Sequence, residues 1–161
     1  METTRQSTEM ENKLIKSGDY AIAEDPTKPF VVPDSKPEVP FLDFSPLQNA
    51  LKKLGNSVDS LNVVYQNNLK SGIVSAEFNQ AIYRSEQQLL SEPGLPRRSW
   101  YKHTLYAPGS YTGYGVKTMP GIREAIEQRN WKEVQEQIEV DADVLNKLAV
   151  YFNQITNKGP Q

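Results

Sequence analysis

Residues 95–122 read LPRRSWYKHTLYAPGSYTGYGVKTMPGI and follow neither a helical nor a strand periodicity. They contain four of the eight tyrosines, the only histidine and four of the nine glycines of the chain. They also carry four basic residues and no Asp or Glu, although the whole chain has 20 acidic residues and a net charge of -2. A long aperiodic segment in a small domain is usually disordered or functional, and disordered segments are poor in aromatic residues. The composition therefore predicts an ordered loop that is pinned by its aromatic residues.

Two helices are predicted on the N-terminal side of this segment. The first begins at Ser45 and Pro46, a favourable N-cap and first-turn pair, and runs to about Lys70. Its apolar residues recur at helical spacing and predict one buried stripe: Leu47, Leu51, Leu54, Val58, Leu61 and Tyr65. The second helix is predicted to begin after Ser75 and to end at Glu92-Pro93-Gly94.

Two further helices are predicted on the C-terminal side. Pro120-Gly121 opens a short helix, and Asn130 with Glu133 resembles a capping box for the last one. One apolar face continues along this last helix and predicts a buried stripe: Trp131, Val134, Ile138, Ala142, Leu145, Leu148, Phe152 and Ile155. The acidic run at 139–143 is interpreted as a solvated face. Surplus apolar width on this helix could meet a second chain.

These elements predict an all-α fold, a helical bundle with a long ordered aromatic-, glycine- and proline-rich loop between its second and third helices. Residues 1–44 are expected to be flexible or extended, because six prolines lie between Pro26 and Pro46. Residues 45–157 then form the helical domain, and residues 158–161 form a tail.

Composition excludes several classes of function. The mildly acidic charge argues against binding to nucleic acid, and no apolar run approaches the length of a membrane span, so no direct membrane insertion is expected. The absence of cysteine excludes disulfides and thiol catalysis. Catalytic zinc usually takes three protein ligands dominated by His, and His103 alone cannot supply them. We therefore predict no metal site in this chain.

The loop offers no complete catalytic motif. Residues 109–118 superficially resemble a phosphate-binding loop, but Lys117 does not directly follow the second glycine and no helix can continue past Pro120. A nucleophilic pair of Ser99 or Ser110 with His103 is left open by the sequence, although no strand-elbow context supports it. No catalytic residue is predicted.

Most of the notable side chains are expected to be structural. Five are predicted to fix the shape of the loop: Trp100, Tyr101, His103, Tyr106 and Pro108. Arg97 and Arg98 could bind a carboxylate through paired hydrogen bonds or could pair with the acids of the bundle. We favour internal pairing, although the lack of acids still predicts a positive lobe.

A family resemblance rests on the same residues. The pattern Leu95-Pro96-x-Arg98-x-x-Tyr101-Lys102-His103, then Leu105-Tyr106-Ala107-Pro108, then Tyr114 and Pro120-Gly121-Ile122, resembles the transferrin receptor-like dimerisation domain. This is the C-terminal helical domain of the glutamate carboxypeptidase II and transferrin receptor family. The resemblance extends over about residues 41–155 and includes the order of the helices.

The resemblance implies a helical bundle that forms much of a homodimer interface and is not catalytic by itself. The two zinc ions of the peptidase members lie in a separate upstream domain, so no cofactor is expected in this chain. The family loop reaches the active site, where a Lys-Tyr pair holds the substrate's terminal glutamate. An ungapped alignment places the tyrosine at Tyr114 and the lysine at Gly113, so that only the tyrosine is retained. The substrate-binding candidates are therefore Tyr114, Lys117 as a substitute from another backbone position, and Arg98.

Two functional hypotheses follow. The first is a non-catalytic dimerisation domain of a glutamate carboxypeptidase-like zinc exopeptidase, whose loop completes a substrate pocket. Its partners are a second copy of the chain and a zinc peptidase domain. The alternative is a stand-alone protein-protein interaction module with no link to peptidase activity. A complete small enzyme is disfavoured by the single histidine.

Overall fold

A computed structural model describes residues 1–22, 27, 32–72, 75–111 and 113–158. The chain divides into two compact units, residues 1–41 and 42–161. The helices of the described ranges are α1 Glu2–Ser17, α2 Asp19–Ile22, α3 Ser45–Lys70, α4 Ala76–Tyr83, α5 Pro120–Glu127 and α6 Trp131–Lys158. The other elements are a 3₁₀ helix, Arg84–Leu89, and the strands β1 Tyr106–Pro108 and β2 Val116–Thr118. Across these ranges, no helix combines the length and the apolar character that a membrane crossing requires.

The first unit is built on α1. The Asn12 side chain donates to the Lys36 carbonyl over 2.8 Å and accepts from the Lys36 N–H over 2.9 Å. Glu11 also forms an ion pair with Lys36 at 2.6 Å. The segment 32–41, which has no regular secondary structure, is thus tied to the helix. A helix therefore occupies part of the segment predicted to be flexible or extended, and Pro26, where the proline-rich stretch begins, lies outside the described residues.

The second unit is organised by α3 and α6, which pack along their lengths. Its main core consists of buried residues from α3, α5 and α6: Leu47, Ala50, Ile122, Ala125, Val134, Ile138, Ala142 and Leu145. A second cluster near the other end joins Leu61, Phe78 and Ile155. The predicted α6 stripe is confirmed at six positions that are buried: Val134, Ile138, Ala142, Leu145, Leu148 and Ile155.

The predicted α3 stripe is only half buried. Leu47 and Leu61 are in the core, whereas Leu51, Val58 and Tyr65 are 47%, 43% and 40% exposed. The physical reason is that Ala50 and Ser57 turn towards α6, where their small side chains allow close packing, and are themselves buried. The surplus apolar width that the sequence placed on α6 therefore lies mainly on α3.

Two of the three predicted N-cap residues, Ser75 and Asn130, cap their helices, and Ser45 does not. Ser75 accepts a hydrogen bond from the Phe78 N–H, as an N-cap does. Asn130 accepts from the Glu133 N–H over 3.3 Å. Ser45, in contrast, is already the first residue of α3, and Asp43 accepts from its N–H over 2.9 Å. Hydrogen bonds from the Ser45 hydroxyl and from this N–H lower the pKa of the Asp43 carboxyl.

The chain is mostly helical, but it is not purely α. Strands β1 and β2 pair antiparallel within the long loop, with Tyr106 opposite Thr118, Ala107 opposite Lys117 and Pro108 opposite Val116. The prediction of an all-α fold is thus wrong in this detail. Aperiodic, glycine-rich sequence gave no strand signal, because each strand has only three residues.

Candidate functional site: a pinned hairpin loop

The candidate site is the segment 90–119, called here the hairpin loop, between the 3₁₀ helix and α5. Its first half folds back on itself through backbone hydrogen bonds. The Ser91 N–H donates to the Lys102 carbonyl and the Leu95 N–H to the Tyr101 carbonyl, each over 2.9 Å. Leu95 is buried inside this arrangement. The ordered loop thus rests chiefly on its own backbone pairing.

Gly94 is required by the way this half-loop closes. Its φ is +73°, in the left-handed region that residues with a side chain rarely adopt. A Cβ at this position would also lie 2.3 Å from the Ser99 carbonyl oxygen, a backbone atom. Any larger residue would therefore have to open the loop.

A buried ion pair joins the loop to α5. Arg98 is 8% exposed, and its Nη2 lies 2.7 Å from Oε1 of Glu124, which is 2% exposed. The same carboxylate oxygen accepts the Ser110 N–H over 2.9 Å, and Arg98 also donates to the Pro108 carbonyl. Because a buried charge is costly unless it is paired and hydrogen-bonded, these contacts fix both sides of the hairpin against α5.

A second ion pair joins the loop to the start of α6. Arg97 has a φ of +61° at the third position of the turn that the Arg98 N–H closes on the Leu95 carbonyl. Pro96 at the second position favours such a turn, but the left-handed residue is ordinarily glycine. Both Arg97 Nη atoms donate to Glu133, over 2.8 and 2.7 Å, which raises the pKa of Arg97. This bidentate pairing offsets the backbone strain.

The remaining cations of the loop are also engaged. Lys117 on β2 forms an ion pair with Glu127 of α5, and the Lys102 ammonium donates to the Glu92 carbonyl. Three of the four cations thus meet carboxylates of α5 and α6, as the favoured internal pairing predicted. The predicted positive lobe is therefore largely neutralised by acids from outside the loop.

The tip of the hairpin presents tyrosine to the exterior. The Gly109 N–H donates to the Gly115 carbonyl over 3.0 Å, and Gly113 has a φ of +62°. Tyr114 is fully exposed, and Tyr111 is 77% exposed. Of the three substrate-binding candidates, Tyr114 alone is fully open, whereas Lys117 and Arg98 lie in the ion pairs described above.

Aromatic pinning is a weaker part of the loop than the sequence predicted. Trp100 is 78% exposed and Tyr106 is 50% exposed, so neither is a packing anchor within the chain. Tyr101 is half-buried, with the Arg98 guanidinium 5.9 Å from its ring centroid. Apart from Arg98, the buried residues of the loop are small or aliphatic, because close backbone pairing leaves little room: Ser91, Leu95, Thr104, Ala107 and Gly109. Pro108 lies exposed on β1 and accepts from Arg98.

His103 has a structural environment. Its Nδ1 accepts the Tyr106 N–H over 3.1 Å, and its ring stacks on Tyr106 at 5.1 Å between centroids. An accepting Nδ1 places the imidazole proton on Nε2, which lies 3.9 Å from Glu86. These contacts are with neither Ser99 nor Ser110, so the geometry gives no support to a nucleophilic pair.

Asp141 of α6 is a titratable group that the sequence interpretation missed. It is 2% exposed, and burial raises its pKa to about 7, against the opposing effect of a hydrogen bond from the Thr104 hydroxyl. Thr104 is itself buried and donates its N–H to the Leu89 carbonyl over 3.2 Å. The prediction of a solvated acidic face is wrong at this position. Asp141 follows Ile138 by three residues and precedes Leu145 by four, so it lies within the apolar stripe of α6. This spacing in the sequence already indicated that Asp141 is buried.

The described residues form no cluster of metal ligands. Within the part of the chain that the structure describes, no group of three or more His, Asp or Glu side chains could hold a metal ion. The carboxylates of α5 and α6 that meet the loop, Glu124, Glu127 and Glu133, are paired with its Arg and Lys side chains. The arrangement therefore presents a tyrosine-bearing surface on a hairpin that is held by ion pairs.

Comparison with known proteins identifies the origin of this architecture. The family model of the transferrin receptor-like dimerisation domain matches residues 42–153, which include the helices α3 to α6 and the whole hairpin loop up to the last turns of α6. The chain belongs to this family. The resemblance seen in the loop motif is thus confirmed, and the matched range begins where the second unit begins and lies within it.

Individual relatives agree with the family. A protein of Arabidopsis thaliana named probable glutamate carboxypeptidase is 30% identical over 104 residues, covering 60% of this chain and 15% of the relative. A probable glutamate carboxypeptidase of Arthroderma benhamiae is 35% identical, covering 62% of this chain and 14% of the relative. A Saccharomyces cerevisiae protein, provisionally named a zinc metalloprotease, is 35% identical over 88 residues, covering 50% and 11%. The chain thus spans 11 to 15% of the length of these relatives.

Proposed function

We propose that this chain is a non-catalytic dimerisation domain of a glutamate carboxypeptidase-like zinc exopeptidase, acting as a homodimer. The family match and the names of the relatives support the peptidase association. The local chemistry supports a non-catalytic role, since the α5 carboxylates that contact the loop are neutralised in ion pairs and His103 accepts the Tyr106 N–H. Zinc, in this proposal, belongs to a separate peptidase domain.

We further propose that the hairpin loop completes a substrate pocket formed with that peptidase domain. The observation that carries this proposal is the buried Arg98–Glu124 pair, which fixes a hairpin whose tip presents Tyr114 outward. A phenol on a rigid support can donate a hydrogen bond to a carboxylate with little loss of conformational entropy. Tyr114 is the substrate contact in this account. Arg98 and Lys117 act through their ion pairs, as positioning residues.

The pocket proposal is tested in the full-length gene product with Tyr114→Phe, which removes one hydroxyl. We expect a roughly five- to thirtyfold higher KM for a peptide ending in glutamate, which corresponds to about 1 to 2 kcal/mol for one hydrogen bond. Tyr111→Phe is the matched control, because Tyr111 lies on the same tip with a similar exposure and is assigned no contact. Equal effects of the two substitutions would overturn the assignment of Tyr114.

The non-catalytic role is tested on the chain itself. Purified with added zinc, it should hydrolyse no glutamate-terminated peptide above the rate of buffer. Zinc-dependent hydrolysis that co-purifies with the chain and is lost on chelation would refute the proposal.

A second candidate function, a stand-alone interaction module, is favoured by one observation. Trp100 is 78% exposed on the hairpin loop, and exposed tryptophan is enriched at protein interfaces. A full-length gene product that has no peptidase activity and uses Trp100 for partner binding would favour this alternative.

A further inference from the structure

The exposed side of α3 carries an apolar stripe separate from the buried one. It runs along positions Leu51, Gly55, Val58, Asn62, Tyr65 and Leu69, called here the α3 seam. The spacings of four and three residues keep these positions on one face over about 27 Å of helix, at 1.5 Å per residue. Leu51, Val58, Tyr65 and Leu69 are each between 40% and 58% exposed. Such a repeat is typical of a helix-helix seam.

Gly55 lies within the seam, where neither packing nor backbone conformation among the described residues requires a glycine. Glycine within a helix destabilises it by about 1 kcal/mol relative to alanine. A Cβ built on Gly55 would meet no atom within 4 Å, and the backbone at Gly55 is helical, so neither packing nor conformation requires glycine here. A residue without a side chain at the centre of an exposed apolar stripe permits close approach of a second helix.

Charges beside the seam indicate what this second helix is. Lys52 and Asp59 follow Leu51 and Val58 directly, so they flank the seam on the same side, seven residues apart. Among the described residues, neither has an ion-pair partner within the chain. In an antiparallel two-fold pairing of α3 with its own copy, the same flank of both helices meets, and Lys52 of each copy comes beside Asp59 of the other. Two-fold interfaces are self-complementary in this way.

We propose that the α3 seam is the self-association surface of this chain, formed by α3 pairing antiparallel with α3 of a second copy. Leu51 and Val58 interdigitate across the two-fold axis near Gly55, and the two Lys52–Asp59 pairs set the antiparallel direction. This inference rests on the proposed homodimer and assigns its interface.

The test compares two valines on the same helix. Val58 in the seam and Val63 outside it are 43% and 61% exposed, so a lysine side chain at either position can reach water. Val58→Lys should weaken the dimer by at least tenfold in Kd, measured by sedimentation equilibrium of the full chain. Val63→Lys should change Kd by less than twofold, and circular dichroism should show both variants folded.

Charge exchange tests the direction of pairing. Lys52→Glu should weaken the dimer because it places acid beside Asp59, and Lys52→Glu with Asp59→Lys should restore most of the affinity. If both valine substitutions weaken the dimer equally, or if the double exchange does not restore its affinity, the α3 seam is not the interface. The proposed homodimer would still stand. A wild-type chain that remains monomeric overturns the homodimer itself.

Discussion

The buried carboxyl of Asp141 makes the stability of this chain depend on pH in a direction that is unusual for an aspartate. Its pKa is raised from 3.8 to about 7 by burial, so the folded chain holds a proton that the unfolded chain has already released. Between about pH 4 and pH 7 the folded state therefore binds more protons, and the free energy of unfolding falls as the pH rises. The slope is about 1.4 kcal/mol per pH unit. Below about pH 4 Asp141 adds no pH dependence to the free energy of unfolding, and above about pH 7 its stabilising contribution is fully lost.

Asp141→Asn removes this titration while keeping the shape of the side chain. The amide oxygen can accept from the Thr104 hydroxyl as the carboxyl oxygen does. The variant should become more stable than the wild type as the pH rises, gaining about 2 to 3 kcal/mol between about pH 5 and about pH 7.5. This gain is an upper range, because partial opening of the structure can hydrate the carboxylate.

Urea unfolding followed by tryptophan fluorescence at both pH values measures this difference directly. Asp143→Asn is the matched control, since Asp143 lies two residues away on α6 and is exposed. Its stability relative to the wild type should not change with pH by more than about 0.5 kcal/mol. If Asp141→Asn shows the same small change, the assignment of Asp141 as a protonated buried acid is refuted.

Further predictions concern the hairpin loop. Arg98→Ala should lower the free energy of unfolding by about 3 to 5 kcal/mol, because it leaves a buried carboxylate without its partner; Arg98→Ala combined with Glu124→Gln should recover part of this loss in the same urea titration. Gly94→Ala should destabilise the chain by more than about 1 kcal/mol in thermal unfolding, through its positive φ and the clash with the backbone of residue 99. Tyr114→Ala should leave the melting temperature within about 1 °C of the wild type, because its side chain is fully exposed; a larger loss would show that the tyrosine packs within the chain.

Sequence periodicity predicted the buried face of α6 well because the apolar residues of the predicted stripe pack mainly into the core. Val134, Ile138 and Leu145 all face the core as the predicted stripe requires, and Val144 and Ala149 are buried beside it. On α3 the same rule failed, because the apolar residues serve two faces. Leu47 and Leu61 pack inward, while Val58 lies on the exposed side. A count of apolar spacings cannot separate two adjacent stripes without knowing where the neighbouring helix crosses.

The order of the hairpin loop was predictable from its sequence, but the contacts that support it were not. Its basic residues signalled ion pairs, yet the acids that meet Arg98 and Arg97 lie 26 and 36 residues further along the chain. Only the packing of α5 and α6 brings these groups together. For Asp141, in contrast, the sequence did contain the information. Its spacing within the α6 stripe indicated burial, and only its charge suggested exposure.

The central claim, that this chain is a self-associating domain, is tested most directly by its mass in solution. Sedimentation equilibrium of the wild-type chain, from about one to about one hundred micromolar, covers the range of weak to moderate protein interfaces. The account predicts a concentration-dependent approach to twice the 18.2 kDa mass of one chain. A mass that stays at that of one chain throughout this range would contradict it.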